Sequence, residues 1–154
     1  MKNHPAALKS QLFHHCLQAI AQRIATAQEA IAAAVAAANE ETKSSAGDKY
    51  ETTRAMMHLE REKNEVQLAK AIQLKNELLA IGPDMVCTIA EAGSLVVTDQ
   101  GIYYLAGGLG KITLEGEVYY SVAMEAPIGL ALKGKAVGET FSFSGKNFNI
   151  RSIY

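Results

Sequence analysis

Apolar positions in the first quarter of the chain recur three and four residues apart. Leu17, Ile20, Ile24, Ala27, Ile31, Ala34 and Ala38 follow that rhythm. It predicts a helix over residues 5–42 with an a/d seam along one side. The segment is rich in Ala, Leu, Gln and Glu, all good helix formers. A second helical pattern runs over residues 48–81. Its apolar positions are Met56, Leu59, Val66, Ala69, Ile72 and Leu79, and its rhythm is broken where Glu62 and Gln73 fall. About 35 residues of helix reach about 50 Å at ~1.5 Å per residue. Two such helices joined by a short turn predict an antiparallel coiled-coil hairpin, and the alanines of the first permit close approach of the second.

"IGPD", residues 81–84, ends the helical part. Gly82 can take a left-handed cap, and Pro83 cannot continue a helix. Beyond it the period falls to two. "SLVVTDQGIYYLAGG", "KITLEGEVYYSVAM" and "ETFSFSGKNFNIRSIY" read as strands punctuated by glycine. One helical patch, "PIGLALKGK", interrupts them. The expected fold is α+β, with a helical hairpin over residues 1–82 and a small, mostly antiparallel β domain with one short helix over residues 83–154.

Composition narrows the function. A hydrophobic fraction of 49% suits a packed chain of 154 residues. A net charge of −1 offers no global basic field for nonspecific nucleic-acid binding. No apolar run approaches the roughly 18 residues of a membrane span. "MKNHPAALKSQLFHHCL" lacks the apolar core and cleavage site of a signal peptide. Cys16 and Cys87 stand far apart without metal-type spacing. Cytoplasmic residence with free thiols is the simplest expectation.

The turn between the helices carries the most pointed chemistry. "GDKYE", residues 47–51, places Asp48 and Glu51 at the start of the second helix, in a tip spanning residues 44–51. D-x-x-E at a helix start is a capping box, in which the first residue accepts backbone N–H groups and the fourth reaches back. The helix dipole favours acids there. The same pair could serve a metal. Mg²⁺ takes oxygen ligands and often only one or two carboxylates from protein. A lone acidic pair makes no strong independent site, and the positive helix end and Lys49 oppose one. It can complete a site that another protein half builds.

Other patterns lead to packing. "GLALKGKA" nearly spells a phosphate loop, but Ala136 stands where a Ser or Thr hydroxyl is needed. A short helix with a glycine exit turn explains it. His14, His15 and Cys16 are consecutive and point in different directions on a helix. Cys87, in the strand candidate "MVCTIA", is expected in the core. Strand alternation accounts for Phe141 and Phe143. Core packing is the expectation for Phe148, Tyr103, Tyr104, Tyr119 and Tyr120 as well.

The layout and three local patterns resemble the bacterial Gre transcript-cleavage factors, as a divergent member. Gly47, Asp48 and Glu51 match the G-D-x-x-E of the Gre tip. "EAPIGLALKGKAVGETFSF" is similar to the Gre C-terminal segment, with Pro127, Ile128, Ala131, Leu132, Gly134, Lys135 and Gly138 at matching positions. "FNIRSIY" is similar to the family's last strand. The Gre tip usually continues with an Asn-Ala-Glu-Tyr run, whereas Thr52, Thr53, Arg54 and Ala55 follow here.

The resemblance implies an FKBP-like β domain and a transcription elongation factor that binds RNA polymerase at its secondary channel. It implies a cofactor of the polymerase rather than an enzyme, with no cofactor of its own. Asp48 and Glu51 would act in the polymerase active centre on its Mg²⁺ and stimulate cleavage of backtracked RNA. The nascent RNA 3′ end would be met only indirectly. Pro127, Ile128, Gly134 and Lys135 would belong to the partner-binding segment. A monomer is expected. Three alternatives stay open: a secondary-channel regulator without cleavage, an FKBP-like peptidyl-prolyl isomerase, and a coiled-coil module that dimerises.

Overall fold

A computed structural model describes residues 4–41 and 47–154. Two long helices are followed by a mixed six-stranded sheet, an α+β arrangement. Helix α1 spans Pro5–Glu41 and α2 spans Gly47–Ile81. The strands are β1 (Leu95–Thr98), β2 (Ile102–Tyr104), β3 (Gly110–Leu114), β4 (Glu117–Ser121), β5 (Thr140–Phe143) and β6 (Lys146–Ile153). A short helix, α3 (Pro127–Leu132), lies between β4 and β5. The chain divides into two compact units, one of Ala19–Lys75 and one of Met1–Gln18 with Asn76–Tyr154. α2 ends at Ile81 and the first strand begins at Leu95, while the division of the compact units falls inside both helices.

In the unit Ala19–Lys75 the helices lie side by side and antiparallel. One groove is shared by Ala34 and Ala38 with Met57 and Arg61. Another is shared by Thr26 and Ala27 with Asn64 and Ala71. Numbers rise along α1 as they fall along α2. Ile20, Ala27 and Ala34 are buried, and Ile24, Ile31 and Ala38 are half-buried. The expected face of α1 is the observed one.

The expected face of α2 is corrected. Met56, Leu59, Val66, Ile72 and Leu79 are exposed, with Leu59 at 66% and Val66 at 53%. The side turned inward carries Met57, Asn64, Leu68 and Ala71 instead. Asn64 and Ala71 of that side line a groove with Thr26 and Ala27 of α1, where the small Ala27 is buried. Replacing Ala27 by Leu is therefore expected to cost about 1–3 kcal/mol by overpacking. Leu59→Ser is expected to stay within about 0.5 kcal/mol of wild type, as exposed substitutions do. Thermal melts followed by helical circular dichroism check both, and a large loss from Leu59→Ser would restore the face read from the sequence.

In the other unit the sheet order is β3-β4-β2-β1-β6-β5. All pairs are antiparallel except β2 with β4. Leu95 and Val96 are adjacent on β1 and both fully buried. Successive strand side chains point to opposite faces, so both faces of the central sheet are covered. On one side, Val96, Val122 and Ile150 cluster with Leu132 of α3, and Ile128 packs against them. On the other, the start of α1 supplies Leu8, Leu12, Phe13 and Cys16, with Leu78 from the end of α2. Cys16 Sγ lies 3.5 Å from Ser121 Oγ of β4. That hydroxyl also donates to Ala106 O at 2.5 Å and accepts from Leu109 N–H at 3.1 Å. One buried serine thus holds the glycine-rich loop after β2 against the helix.

Residues 85–90 form no strand. Ile89 makes a single bridge to Ala136. Cys87 is nonetheless buried, as expected of a core residue. Tyr119 on β4 is also buried, and its hydroxyl donates to Glu117 Oε2 at 2.7 Å. Burial, then the bond and charge of Glu117, push its phenol up to about 12. A phenol raised above its ordinary value of about 10 holds its proton in the fold after the unfolded chain has lost it. Its contribution to stability is complete below about pH 10 and lost toward about pH 12. Tyr119→Phe should therefore lose less stability than wild type between pH 9 and about 11.5. Urea unfolding at the two pH values measures the difference.

Candidate functional site

The acidic pair lies at the start of α2. Residues 42–46 lie outside the described residues, as do the side chains of Glu41 and of residues 47–50. Asp48 is therefore placed only by its backbone. Because α2 is already helical at Gly47, Asp48 sits inside the first turn rather than at the cap position before it. The capping box read from the sequence rests on side chains that lie outside the described residues. Glu51 follows three residues on and is exposed. Acids in a first turn are favoured by the unsatisfied N–H groups of the helix end. Hard oxygen donors suit Mg²⁺ chemically, but two carboxylates leave most of an octahedral shell to other ligands.

The segment around α3 is built by packing. Pro127 occupies the first turn, where its missing N–H costs nothing. Ala126 precedes it without a side-chain cap. Ile128 points into the core cluster. Gly129 is buried, and a Cβ there would stand 2.3 Å from Ala123 O and 2.9 Å from Met124 O. Gly134 takes φ +78°, which allows its N–H to donate to Ala90 O at 2.8 Å. Lys135 O accepts from Ala90 N–H at 2.8 Å. Pro127 and Gly134 are exposed, while Lys135 is half-buried. The near-miss phosphate loop is accounted for by this short helix and its exit turn. Near it, Leu130 and Val137 are exposed apolar side chains, as is Ile89.

Two groupings escaped sequence reasoning. Lys9 is only 4% exposed. Its ammonium donates to Met85 O and, at 3.0 Å, to Tyr154 O. Burial lowers its pKa, and the neighbouring Cys87 and Glu91 act against that. The signal was the helical spacing of Lys9 with Phe13 and Cys16, two apolar residues of the buried face. The lysine joins α1 to two backbone carbonyls and walls a cavity of about 370 Å³ with Pro5, Pro83, Met85 and Ile153.

The second grouping is an aromatic row across the sheet. Tyr103 and Tyr120 stack with centroids 5.5 Å apart. Tyr103 reaches Phe148 at 6.3 Å. Phe148 stacks on Phe141 at 4.9 Å and meets Phe143 edge-on at 6.4 Å. Phe148 is buried, as expected of core, but Tyr120 remains 36% exposed. Lys111 is the direct cross-strand partner of Tyr120, and Lys146 that of Phe143. Directly opposed residues share a face, so both lysines flank the row. Alternation alone could assign faces within each strand, but not which strands adjoin.

No family model, curated protein or solved structure matches this chain.

Proposed function

We propose that the protein is a Gre-like factor that docks on RNA polymerase at the secondary channel and stimulates cleavage of backtracked RNA. The observation that carries the reading is the position of the acids. Two long antiparallel helices are joined by residues 42–46, and just beyond that join Asp48 lies in the first turn of α2 and Glu51 begins the second. A carboxylate carried there could be presented to a partner's active centre.

On this reading Asp48 supplies a carboxylate oxygen to the Mg²⁺ of the polymerase, and Glu51 orients or deprotonates the attacking water. Two metals clamp the attacking and leaving oxygens of such a phosphoryl displacement. The catalytic centre stays the polymerase's own, and this chain acts in the cytoplasm as its monomeric cofactor. No helix among the described residues is long and apolar enough to cross a membrane. The sheet with α3 is read as FKBP-like and as the docking body. Pro127, Gly134 and Lys135 shape its surface, Ile128 anchors α3 in the core beneath them, and exposed Leu130 and Val137 offer apolar contact beside them.

A second reading keeps the docking and drops the chemistry. It is favoured by Thr52, Thr53, Arg54 and Ala55, where Gre tips carry a different run. The test is a transcript-cleavage assay on a backtracked elongation complex with the cognate polymerase. Faster cleavage on addition of the chain supports the first reading. Binding without acceleration supports the second. Absence of binding removes both, and a peptide isomerase assay then probes the FKBP-like alternative.

A further inference from the structure

The aromatic row is the strongest grouping that the proposed docking and tip chemistry leave unused. It crosses β4, β2 and β6 on the side of the sheet that carries α3. Where α3 does not reach, Tyr120 and Val118 remain exposed. The strand residues that share this face include Lys111 and Lys146 and no carboxylate. Glu117 belongs to the opposite face, bonded to Tyr119. One lysine thus stands at each end of the stacked rings.

We propose that this face is a platform for single-stranded RNA, on which Tyr120 stacks a base while Lys111 and Lys146 meet phosphates. The chemistry follows from three features. A ring with an open flank offers stacking to any unpaired base. Lysines at the two ends of the row can follow a phosphodiester backbone across it. β3 and β6 are four strand spacings apart, about 19 Å at ~4.8 Å each. Lys146 also lies seven residues along β6 from Ile153, the residue level with Lys111 through Tyr120, Tyr103 and Val96. A single-stranded segment of several nucleotides, and not one nucleotide, would reach both lysines. Paired bases are closed to such stacking, so a duplex is a poor ligand. The Thr113 hydroxyl, one strand alternation from Lys111 on β3, gives the ribose 2′-OH a partner that distinguishes RNA from DNA.

The inference needs no polymerase, so its test is separate from cleavage. Fluorescence anisotropy is read on the full chain with labelled U12 RNA, dT12 DNA, a 12-base-pair RNA duplex and a 12-residue proline-rich peptide. U12 should bind at low salt, weaken steadily as salt rises, and bind more tightly than dT12 or duplex. Tyr120→Ala should weaken U12 about tenfold or more, as loss of a stacked base does, while Tyr120→Phe should bind like wild type. Lys111→Gln should weaken binding and flatten the salt dependence, and it keeps the test sound if Tyr120→Ala fails to fold. The proposal is overturned if U12 does not bind, if Tyr120→Ala or Lys111→Gln binds as wild type, or if dT12 or duplex binds equally well. Capture of the proline-rich peptide in place of RNA, lost with Tyr120→Ala, would overturn it in favour of peptide recognition.

Discussion

Gly129→Ala should lower the melting temperature of the sheet unit by several degrees, although it replaces a poor helix former by the best one. Helix propensity alone favours alanine by about 1 kcal/mol. The obstacle is spatial. The new methyl would meet the backbone oxygens of Ala123 and Met124 at 2.3 and 2.9 Å. Neither can rotate aside as a side chain can, so α3 must move off the strand end that it packs on. Leu132 and Ile128 would leave the core cluster with it. Overpacking of this kind costs about 1–3 kcal/mol and sometimes more. A net loss of roughly 2 kcal/mol corresponds to about 4–8 °C in a chain of this size. Gly134→Ala separates clash from conformation. It has open space around its missing Cβ and φ +78°, so only backbone strain of about 1–2 kcal/mol opposes it. Near-UV circular dichroism of the tyrosines reports the melt of the sheet unit. Wild-type stability of Gly129→Ala would mean that α3 is not held against residues 123–124.

The fates of the two helical faces show what periodicity can and cannot reveal. Along α1 the apolar residues are concentrated on one side, and that side is inward. Along α2 large apolar residues lie on both sides. Leu59 and Val66 form as good a three-and-four pattern as Met57 and Leu68, and residue size does not separate the two sets. The choice is made by the partner. A seam of alanines accepts Ala71 and Asn64 at close range, and nothing within α2 itself encodes that. The strands were easier, because glycine punctuation marks the hairpins and each carries its own alternation. Strand order was not legible. β4 lies beside β2, and β6 crosses to β1, so the gathering of Tyr103, Tyr120 and Phe148 depends on pairings far apart in sequence. The buried ammonium of Lys9 is a similar case, since a lysine near a helix start reads as solvated until carbonyls from residues 85 and 154 are brought to it.

If the chain is the Gre-like factor proposed above, neutralising either acid at the start of α2 should abolish most of its cleavage stimulation and leave docking intact. Asp48→Asn and Glu51→Gln keep size and hydrogen-bonding capacity and remove one charge each. α2 is helical from Gly47, which puts Asp48 beside the helix N-terminus. The expected structural cost of Asp48→Asn is then the lost attraction to the helix N-terminus, about 0.3–1 kcal/mol. That is too little to unfold a helix whose inward face is packed along Met57, Asn64, Leu68 and Ala71. The functional cost is of another size. A metal ligand or water-orienting carboxylate cannot be replaced by an amide, and loss even of a supporting contact to such a centre costs about 10–100-fold. Cleavage rates on a backtracked complex should fall by at least about tenfold for each variant. Both should still compete with wild type for the polymerase, because the surface around Pro127 and Lys135 is unchanged. The effects should not add in the double variant if the acids act on one metal and one water, as residues that work as a unit do not. Full cleavage by both single variants, at unchanged stability, would leave the helix dipole as the whole reason for the acids of "GDKYE".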